Sequence, residues 1–129
     1  MDVIEIIKQD YLRFPEGQTY SIYAPDVYFQ DAVFRFRGVE LYKLMIQFIK
    51  IFFLDVKIEL HSIEPLEGKI KTEWTLSWFA FLPWKPRISV SGWSSLELNP
   101  DNLICSHIDY WYCSRWDVIK QHLFPPKNS

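Results

Sequence analysis

Two segments in the first half of the chain carry apolar residues at the spacing of an α-helix. The first segment comprises residues 2–14, and its residues Val3, Ile7 and Tyr11 lie on one face. The second, residues 39–54, is apolar all round except for one narrow polar stripe made of Glu40, Lys43, Gln47 and Lys50. A helix of this kind is buried over most of its surface. We therefore expect a sheet to wrap around it or a partner subunit to cover it.

Between these helices, residues 27–31 alternate as in a β-strand. Val27, Phe29 and Asp31 share one side of the strand, so the pattern places a carboxylate on an otherwise apolar face. Residues 18–26 leave room for a short irregular helix, and residues 32–38 are predicted as a loop.

The second half of the chain alternates between apolar and polar side chains, which predicts consecutive strands. The predicted strands are 56–63, 69–81, 87–98 and 103–112, with turns at 64–68, 82–86 and 99–102. Ser114 and Asp117 have the spacing of a capping box, which predicts a last helix that runs through His122 and is ended by Pro125 and Pro126.

This order of elements is that of an α+β fold. Adjacent antiparallel strands pair as a meander, and the sheet must curve to cover the apolar helix. The result is a cone with a pocket between its concave face and the helices, where small molecules tend to bind. A length of 129 residues fits a single domain, 1–129.

Composition narrows the class of protein. The net charge is −2 and the basic residues are dispersed, which argues against a nucleic-acid binder. The longest apolar segment is too short and too often interrupted by charge to span a bilayer, and no secretory signal precedes it, so we expect a cytoplasmic protein. Cys105 and Cys113 would lie about 26 Å apart on one strand, so we expect both to be reduced and unbridged.

Asp31 is the first candidate for chemistry. Burial on the apolar side of its strand would raise its pKa toward that of a general base. The structural alternative is an Asp that accepts hydrogen bonds from the following turn, or that pairs with Arg35 or Arg37. The residues alone leave both interpretations open.

His107 and Asp109 form a second candidate, because residues two apart on a strand share a face. A carboxylate beside an imidazole orients it and raises its basicity, which makes a usable acid–base pair if that face is the inner one. The apolar residues Ile104, Ile108 and Tyr110 instead predict that their own face is inner. That prediction turns His107 outward, as part of a surface or dimer-interface pair.

Aromatic residues are the candidates for ligand contact. Trp74 and Trp78 lie on the apolar face of their strand, where they either line a pocket and stack on a flat ligand or pack the core. Tyr11, Tyr23, Tyr42 and Tyr110 are further candidates for lining the pocket. No metal-ligand spacing or phosphate-binding glycine loop is present, so no metal or cofactor is expected.

These segments together resemble a known superfamily. The residues that carry the likeness are Ile22–Asp31 followed by Phe36-Arg37-Gly38, together with Gln18-Thr19-Tyr20, Thr72-Glu73-Trp74-Thr75-Leu76, Leu82-Pro83-Trp84-Lys85-Pro86-Arg87 and Ser106-His107-Ile108-Asp109-Tyr110-Trp111. They resemble the nuclear-transport-factor-2-like, or SnoaL-like, superfamily, and within it an uncharacterised family of cyanobacteria and chloroplasts. The resemblance covers nearly the whole chain.

The resemblance implies a cone fold, a central pocket and frequent homodimers, in a superfamily that includes isomerases, cyclases, dehydratases, epoxide hydrolases and proteins that only bind ligands. Asp31 matches the base carboxylate of ketosteroid-isomerase-like members, whereas Ser94 stands where such members carry a second acid.

Three hypotheses for the function follow. The first is a homodimeric binding module for a small, largely apolar ligand. The second is an acid–base enzyme of the isomerase, cyclase or hydrolase type that uses Asp31. The third is a protein-interaction domain whose pocket is filled by its own side chains. The sequence names neither the ligand nor the reaction.

Overall fold

The computed structural model describes residues 2–123. Within them the helices are α1 (Val3–Arg13), α2 (Val39–Phe52) and α3 (Arg115–Leu123), and a 3₁₀ turn spans Tyr20–Ile22. The strands are β1 (Tyr23–Gln30), β2 (Arg35–Arg37), β3 (Leu54–Leu66), β4 (Lys69–Phe79), β5 (Arg87–Leu98) and β6 (Ile104–Trp111).

One curved sheet contains all six of these strands, in the order β2-β1-β6-β5-β4-β3. Neighbouring strands are antiparallel except β1 and β6, which run parallel. The predicted α+β class and the meander of the last four strands are confirmed. Bringing β1 beside β6 joins the N-terminal part of the chain to the end of the meander, which places Phe29 opposite His107.

The buried side chains lie on the concave face of the sheet and on the helix faces that contact it. One cluster joins α1 to the middle of the sheet, a second lies between β4 and β5, and a third joins β1 to α2. Their buried members are Ile7, Ile22, Val27, Ile70, Leu96 and Ile104; Trp74, Trp78, Ala80, Ile88 and Val90; and Phe29, Tyr42 and Ile46. Each fully buried large side chain stabilises the fold by roughly 1.5–3 kcal/mol.

Helix α1 is held at both ends by carboxylates. The Asp2 side chain accepts a hydrogen bond from the Glu5 backbone N–H at 2.9 Å, as a helix N-cap does. Near the other end, buried Asp10 pairs with Arg13 at 2.7 Å and accepts hydrogen bonds from the Thr19 backbone N–H and hydroxyl group. Asp10 therefore fixes the loop that leads from α1 into the sheet.

Helix α2 is less buried than its sequence predicts. Tyr42 and Ile46 are buried, but Leu44 remains 64% exposed and Ile51 63% exposed. Within one chain the sheet does not wrap around this helix, because β1, β2 and β3 contact only one of its sides. Its cover by a partner subunit stays a prediction. The opposite side leaves an apolar stripe uncovered.

Several element boundaries also differ from those predicted. The predicted loop 32–38 contains β2, which pairs with β1 at Phe36 and Phe29. Strand β3 continues through Pro65 to Leu66, so the predicted five-residue turn shrinks to a tight turn in which Gly68 has φ 72°. The longer β1 also takes in part of the segment 18–26 that the sequence left uncertain.

The predicted capping box of α3 is confirmed. The Ser114 backbone N–H donates to the Asp117 carboxylate at 2.9 Å, and the Asp117 N–H donates to the Ser114 hydroxyl at 3.0 Å. These hydrogen bonds hold the pKa of the Asp117 carboxyl below its ordinary value. Pro125 and Pro126, the predicted end of this helix, lie outside the described residues.

A β-bulge in β6 decides which side chains face inward. Leu98 pairs with Ile104, but the preceding residue of β5, Glu97, pairs with Ser106, so Cys105 is an extra residue in β6. Side chains before and after the bulge therefore follow opposite alternation. Ile104 points inward on one side of the bulge, and His107 points inward on the other.

Two further expectations concern the chain as a whole. Cys105 and Cys113 are free thiols, which confirms that they form no disulfide. Between residues 2 and 123, no helix is both long enough and apolar enough to cross a membrane.

Candidate functional site

A cavity of about 370 Å³ lies between the helices and the concave face of the sheet. Aromatic and aliphatic side chains from all three helices and from the inner faces of the strands form most of its wall. Of the nine residues predicted for a site, eight line it: Tyr11, Tyr23, Asp31, Tyr42, Trp74, Trp78, His107 and Asp109.

His107 and Asp109 face this cavity because of the bulge at Cys105. After the bulge, His107, Asp109 and Trp111 lie opposite Leu96, Ser94 and Gly92, the inward-facing residues of β5. The prediction that His107 turns outward is wrong, since it extended the alternation of Ile104 through the bulge. His107 is 9% exposed.

Tyr110 was predicted to contact a ligand, and this prediction is wrong, because Tyr110 does not line the cavity. It is 43% exposed and stacks on Trp93 on the outer face of the sheet, with ring centroids 4.3 Å apart. The same change of alternation turns Tyr110 outward. It also turns Trp111 into the cavity wall.

A chain of hydrogen bonds crosses the inner face of β4, β5 and β6. The Trp74 indole N–H donates to the Ser94 hydroxyl at 2.8 Å, and that hydroxyl donates to Asp109 Oδ1 at 2.5 Å. His107 Nε2 lies 2.7 Å from the same Oδ1. Ser94, which is 1% exposed, therefore links the tryptophan to the histidine–aspartate pair.

This network fixes the protonation pattern of His107. A carboxylate oxygen only accepts hydrogen bonds, so the imidazole nitrogen that faces it, Nε2, carries a proton. The other nitrogen, Nδ1, is buried and has no hydrogen-bond partner among the described residues. A buried polar atom without a partner is costly, and such an atom at the wall of a cavity is where a ligand can make a hydrogen bond.

Aromatic rings enclose the imidazole. Its ring centroid lies 5.0 Å from that of Phe29, 5.8 Å from Tyr42 and 6.4 Å from Tyr23. These rings hold His107 in place and surround it with apolar surface. The hydrogen bond that Nδ1 lacks is consequently worth more here than at an exposed position.

Three phenol groups lie in the same part of the cavity. The Tyr11 hydroxyl is 2.8 Å from the Thr72 hydroxyl, and the Tyr23 and Tyr42 hydroxyls are 3.4 Å apart. Burial raises the pKa of each phenol well above its ordinary value, and the negative charge of Asp109 adds to the effect. The phenols therefore stay protonated and act as neutral hydrogen-bonding groups.

Asp31 lies at the rim of the cavity, just after β1. Its Oδ1 accepts hydrogen bonds from the backbone N–H groups of Val33 at 2.7 Å and Phe34 at 2.6 Å. Burial raises the pKa of Asp31 and the nearby Asp109 carboxylate raises it further, while the two backbone hydrogen bonds act in the opposite direction. Asp31 is thus a turn cap, and it is also a carboxyl group at the cavity, where its role as a base stays a prediction.

The other end of the cavity is apolar. Trp78 stacks on Phe53 with centroids 4.4 Å apart, and Trp111 and Val118 lie nearby in the wall. Trp84 lies outside this wall, 55% exposed, and its indole N–H donates to the His122 carbonyl at 2.8 Å. The apolar end offers shape and surface, whereas the hydrogen-bonding groups are gathered around His107.

Sequence reasoning missed the participation of Ser94 and Thr72. Both are buried on inner strand faces, Thr72 between Ile70 and Trp74, and Ser94 two residues before Leu96. The alternation of β4 and β5 contains this signal, because a small hydroxyl residue on an apolar face needs a buried partner.

The arrangement can bind a molecule by apolar contact and orient it through one polar group. The histidine–aspartate pair can also accept a proton from a bound molecule. Within residues 2–123, no group of three His, Cys, Asp or Glu side chains has a geometry that would hold a metal ion.

Comparisons with known proteins agree with this fold. A family model described as "Uncharacterized conserved protein (DUF2358)" matches residues 1–107. A comparison with curated protein sequences gives no match.

Solved structures of other proteins share the cone. A putative SnoaL-like polyketide cyclase from Jannaschia sp. CCS1 is similar with a TM-score of 0.76 and 12% identity, over 95% of this chain and 92% of that one. A hypothetical protein with a ketosteroid isomerase-like fold from Catenulispora acidiphila DSM 44928, in complex with trimethylamine, has a TM-score of 0.75 and 16% identity, over 94% of both chains. An LEH-like epoxide hydrolase from M. tuberculosis has a TM-score of 0.70 and 16% identity, over 93% of this chain and 86% of that one. At such identities these likenesses establish the nuclear-transport-factor-2-like, SnoaL-like fold, as the sequence predicted.

Proposed function

The chain belongs to the family described as "Uncharacterized conserved protein (DUF2358)", and from this premise we propose that it is a binding module for one small, largely apolar molecule. One observation carries the proposal: a cavity of about 370 Å³, walled by aromatic rings, contains a buried imidazole nitrogen that lacks a hydrogen-bond partner among the described residues. Pockets of this kind, mostly apolar with a few converging polar groups, are typical small-molecule sites.

The cavity also argues against the hypothesis of an interaction domain with a filled pocket. Its volume is open space between side chains, and the polar network on its wall is complete except at the nitrogen that faces no partner among the described residues. A pocket filled by its own side chains would have satisfied that nitrogen, since buried polar groups in native proteins nearly always have partners.

The experiment is a calorimetric titration of the protein with two neutral bicyclic aromatic compounds, 2-naphthol and 2-methoxynaphthalene. We expect saturable binding of one molecule per chain. Met45→Trp should abolish it, because Met45 lies in the cavity wall and the larger side chain occupies the space. Leu12→Trp is the matched control, since Leu12 is 78% exposed on α1 and lies outside the cavity. The proposal fails if neither compound binds with a Kd below about 1 mM, the range of a weak specific site.

A second candidate function is acid–base catalysis of the isomerase, cyclase or hydrolase kind. The observation that favours it is the presence of Asp31, His107 and Asp109 in one cavity, with the pKa of Asp31 raised by burial. Asp31 would act as the base, as in the matching position of ketosteroid-isomerase-like members, and His107 would assist. Turnover of a bound compound that is lost in Asp31→Asn, without loss of binding, would favour catalysis over simple binding.

We also propose that the protein is a homodimer in the cytoplasm. The uncovered apolar stripe on α2 supports a dimer, because such a surface is costly to leave in water.

A further inference from the structure

We infer that the ligand of this cavity presents a neutral hydrogen-bond donor, a hydroxyl or N–H group, to Nδ1 of His107, and that the site disfavours a carboxylate. This inference rests on the proposed binding function and specifies the chemical class of molecule that the site takes. It follows from which atoms of the network carry protons and from the charges around the cavity.

The direction of the network starts at Trp74. The indole N–H can only donate, so the Ser94 oxygen accepts from it at 2.8 Å and donates its own proton to Asp109 Oδ1. The same carboxylate oxygen takes the Nε2 proton of His107 at 2.7 Å. A second proton on Nδ1 would leave a buried, charged N–H without an acceptor among the described residues, so the imidazole carries its one proton on Nε2. Nδ1 then has a lone pair, which only a donor satisfies.

Between residues 2 and 123, no protein group supplies that donor. Nδ1 is buried and without a partner there. The neighbouring phenols have other contacts, Tyr11 with Thr72 at 2.8 Å and Tyr23 with Tyr42 at 3.4 Å. Nδ1 is buried among these rings, so a donor on the ligand would satisfy an atom that no described residue satisfies.

The charges of the cavity wall also favour a neutral ligand over an acid. Among residues 2–123, the cavity wall contains the carboxylates of Asp10, Asp31 and Asp109 and no lysine or arginine. Arg13 pairs with Asp10 from outside the wall, so neither a lysine nor an arginine of the described residues is available there to pair with a ligand carboxylate. A buried anion without a partner is strongly unfavourable, so an acid should bind more weakly than the corresponding alcohol.

The test compares three probes of similar size: 2-naphthol, 2-methoxynaphthalene and 2-naphthoate. We expect the naphthol to bind about 3- to 10-fold more tightly than its methyl ether, the range that one net hydrogen bond provides, and the naphthoate to bind most weakly. His107→Phe keeps a ring and removes both nitrogens, so it should make naphthol and ether bind equally. His61→Phe is the matched control, because His61 is exposed and contacts Thr75, and it should preserve the preference.

A second measurement does not depend on the folding of a variant. Long-range ¹H–¹⁵N spectra of the wild-type protein distinguish protonated from unprotonated imidazole nitrogens, and we expect a proton on Nε2 and none on Nδ1 of His107. Finding the proton on Nδ1 overturns the inference, and so does a naphthoate or an ether that binds as tightly as the naphthol. These results would leave the binding function intact, whereas failure of all three probes to bind would contradict both proposals.

Discussion

Asp31 has two sets of neighbours with opposite effects on its charge. Two backbone N–H groups favour the carboxylate, but burial outweighs them, so the pKa of Asp31 in the folded protein lies above the ordinary value of 3.8. A folded pKa above the unfolded one means that the contribution to stability is complete in acid and is lost as pH rises through the folded pKa. At neutral pH the charged form of Asp31 therefore costs stability.

Asp31→Asn should therefore raise the melting temperature at pH 7. The amide oxygen of Asn still accepts the hydrogen bonds from Val33 and Phe34, while the cost of burying a charge disappears. The gain should shrink as pH falls through the raised pKa of Asp31, where its carboxyl group takes up a proton. Thermal melts from about pH 4 to 8 measure this, with Asp101→Asn in an exposed turn as control. An Asn variant that is less stable at neutral pH and binds probes unchanged would make Asp31 a structural cap only.

Ser94 connects two buried groups, so its removal should be costly. Ser94→Ala leaves the Trp74 N–H without an acceptor and takes one donor from Asp109, which predicts a loss of about 1–3 kcal/mol in the free energy of unfolding. Ser95→Ala is a matched control, because Ser95 is next in sequence but faces the outer side of the sheet opposite Ile108. It should change stability by less than about 0.5 kcal/mol. Urea unfolding measures the free energy of unfolding of both variants. Equal losses in the two variants would contradict the hydrogen-bond network through Ser94.

At the level of elements, Gly92 is the position of β5 where a side chain has no room beside β6. A Cβ at this position would collide with the Tyr110 carbonyl oxygen and lie 3.1 Å from the Trp74 ring. Gly92→Ala must therefore push the strands apart or displace Trp74, at a cost of about 1–3 kcal/mol for forced overpacking. Because Trp74 lies in the cavity wall and donates to Ser94, the variant should also weaken the binding of 2-naphthol.

Gly68→Ala provides the contrast. Gly68 has φ +72° in the β3–β4 turn, and the position that a Cβ atom would take is open space. Alanine is therefore strained there by about 1–2 kcal/mol without displacing any neighbour. We expect this variant to lose stability and to keep its affinity. Unfolding and calorimetric titration of both glycine variants separate a general loss of stability from damage to the site. Unchanged affinity in Gly92→Ala would contradict the coupling through Trp74.

At the scale of the whole molecule, the outer side of α2 is the surface that most requires a cover. Its exposed apolar residues are Leu41, Leu44, Phe48, Ile51 and Phe52. We predict that a second copy of the chain covers them, so that light scattering at about 50 μM gives the mass of a dimer, as expected for a Kd in the micromolar range.

The double variant Leu44→Glu with Ile51→Glu should then be monomeric, because each carboxylate would have to be buried in the interface without a partner. Leu12→Glu, on an exposed position of α1 outside the stripe, should remain dimeric. A monomeric wild-type protein would contradict the dimer itself. A dimer that survives the double variant would place the interface elsewhere, for example around Trp93 and Tyr110 on the outer face of the sheet.

The sequence by itself determined the three helices, the main strands and their order, because hydrophobic periodicity and caps are local. It did not predict the short strand β2. Asp2 caps α1, Ser114 and Asp117 cap α3, and the alternation of β4 and β5 selects the faces that carry Trp74 and Ile88. The same local signals placed Asp31 at the end of an apolar strand face. They also identified most of the aromatic residues that line the cavity.

Only the tertiary structure decided the orientation of β6 and the exposure of α2. The bulge at Cys105 is defined by pairing with Glu97 and Leu98, which no local pattern of β6 contains, and it alone turns His107 inward and Tyr110 outward. The burial of α2 depends on how far the sheet curves, a property of all strands together, and this sheet reaches only one side of the helix. The site, too, exists only when Trp74, Ser94 and Asp109 meet across three strands. A hydrogen bond between residues far apart in the sequence leaves no pattern in the sequence around either residue.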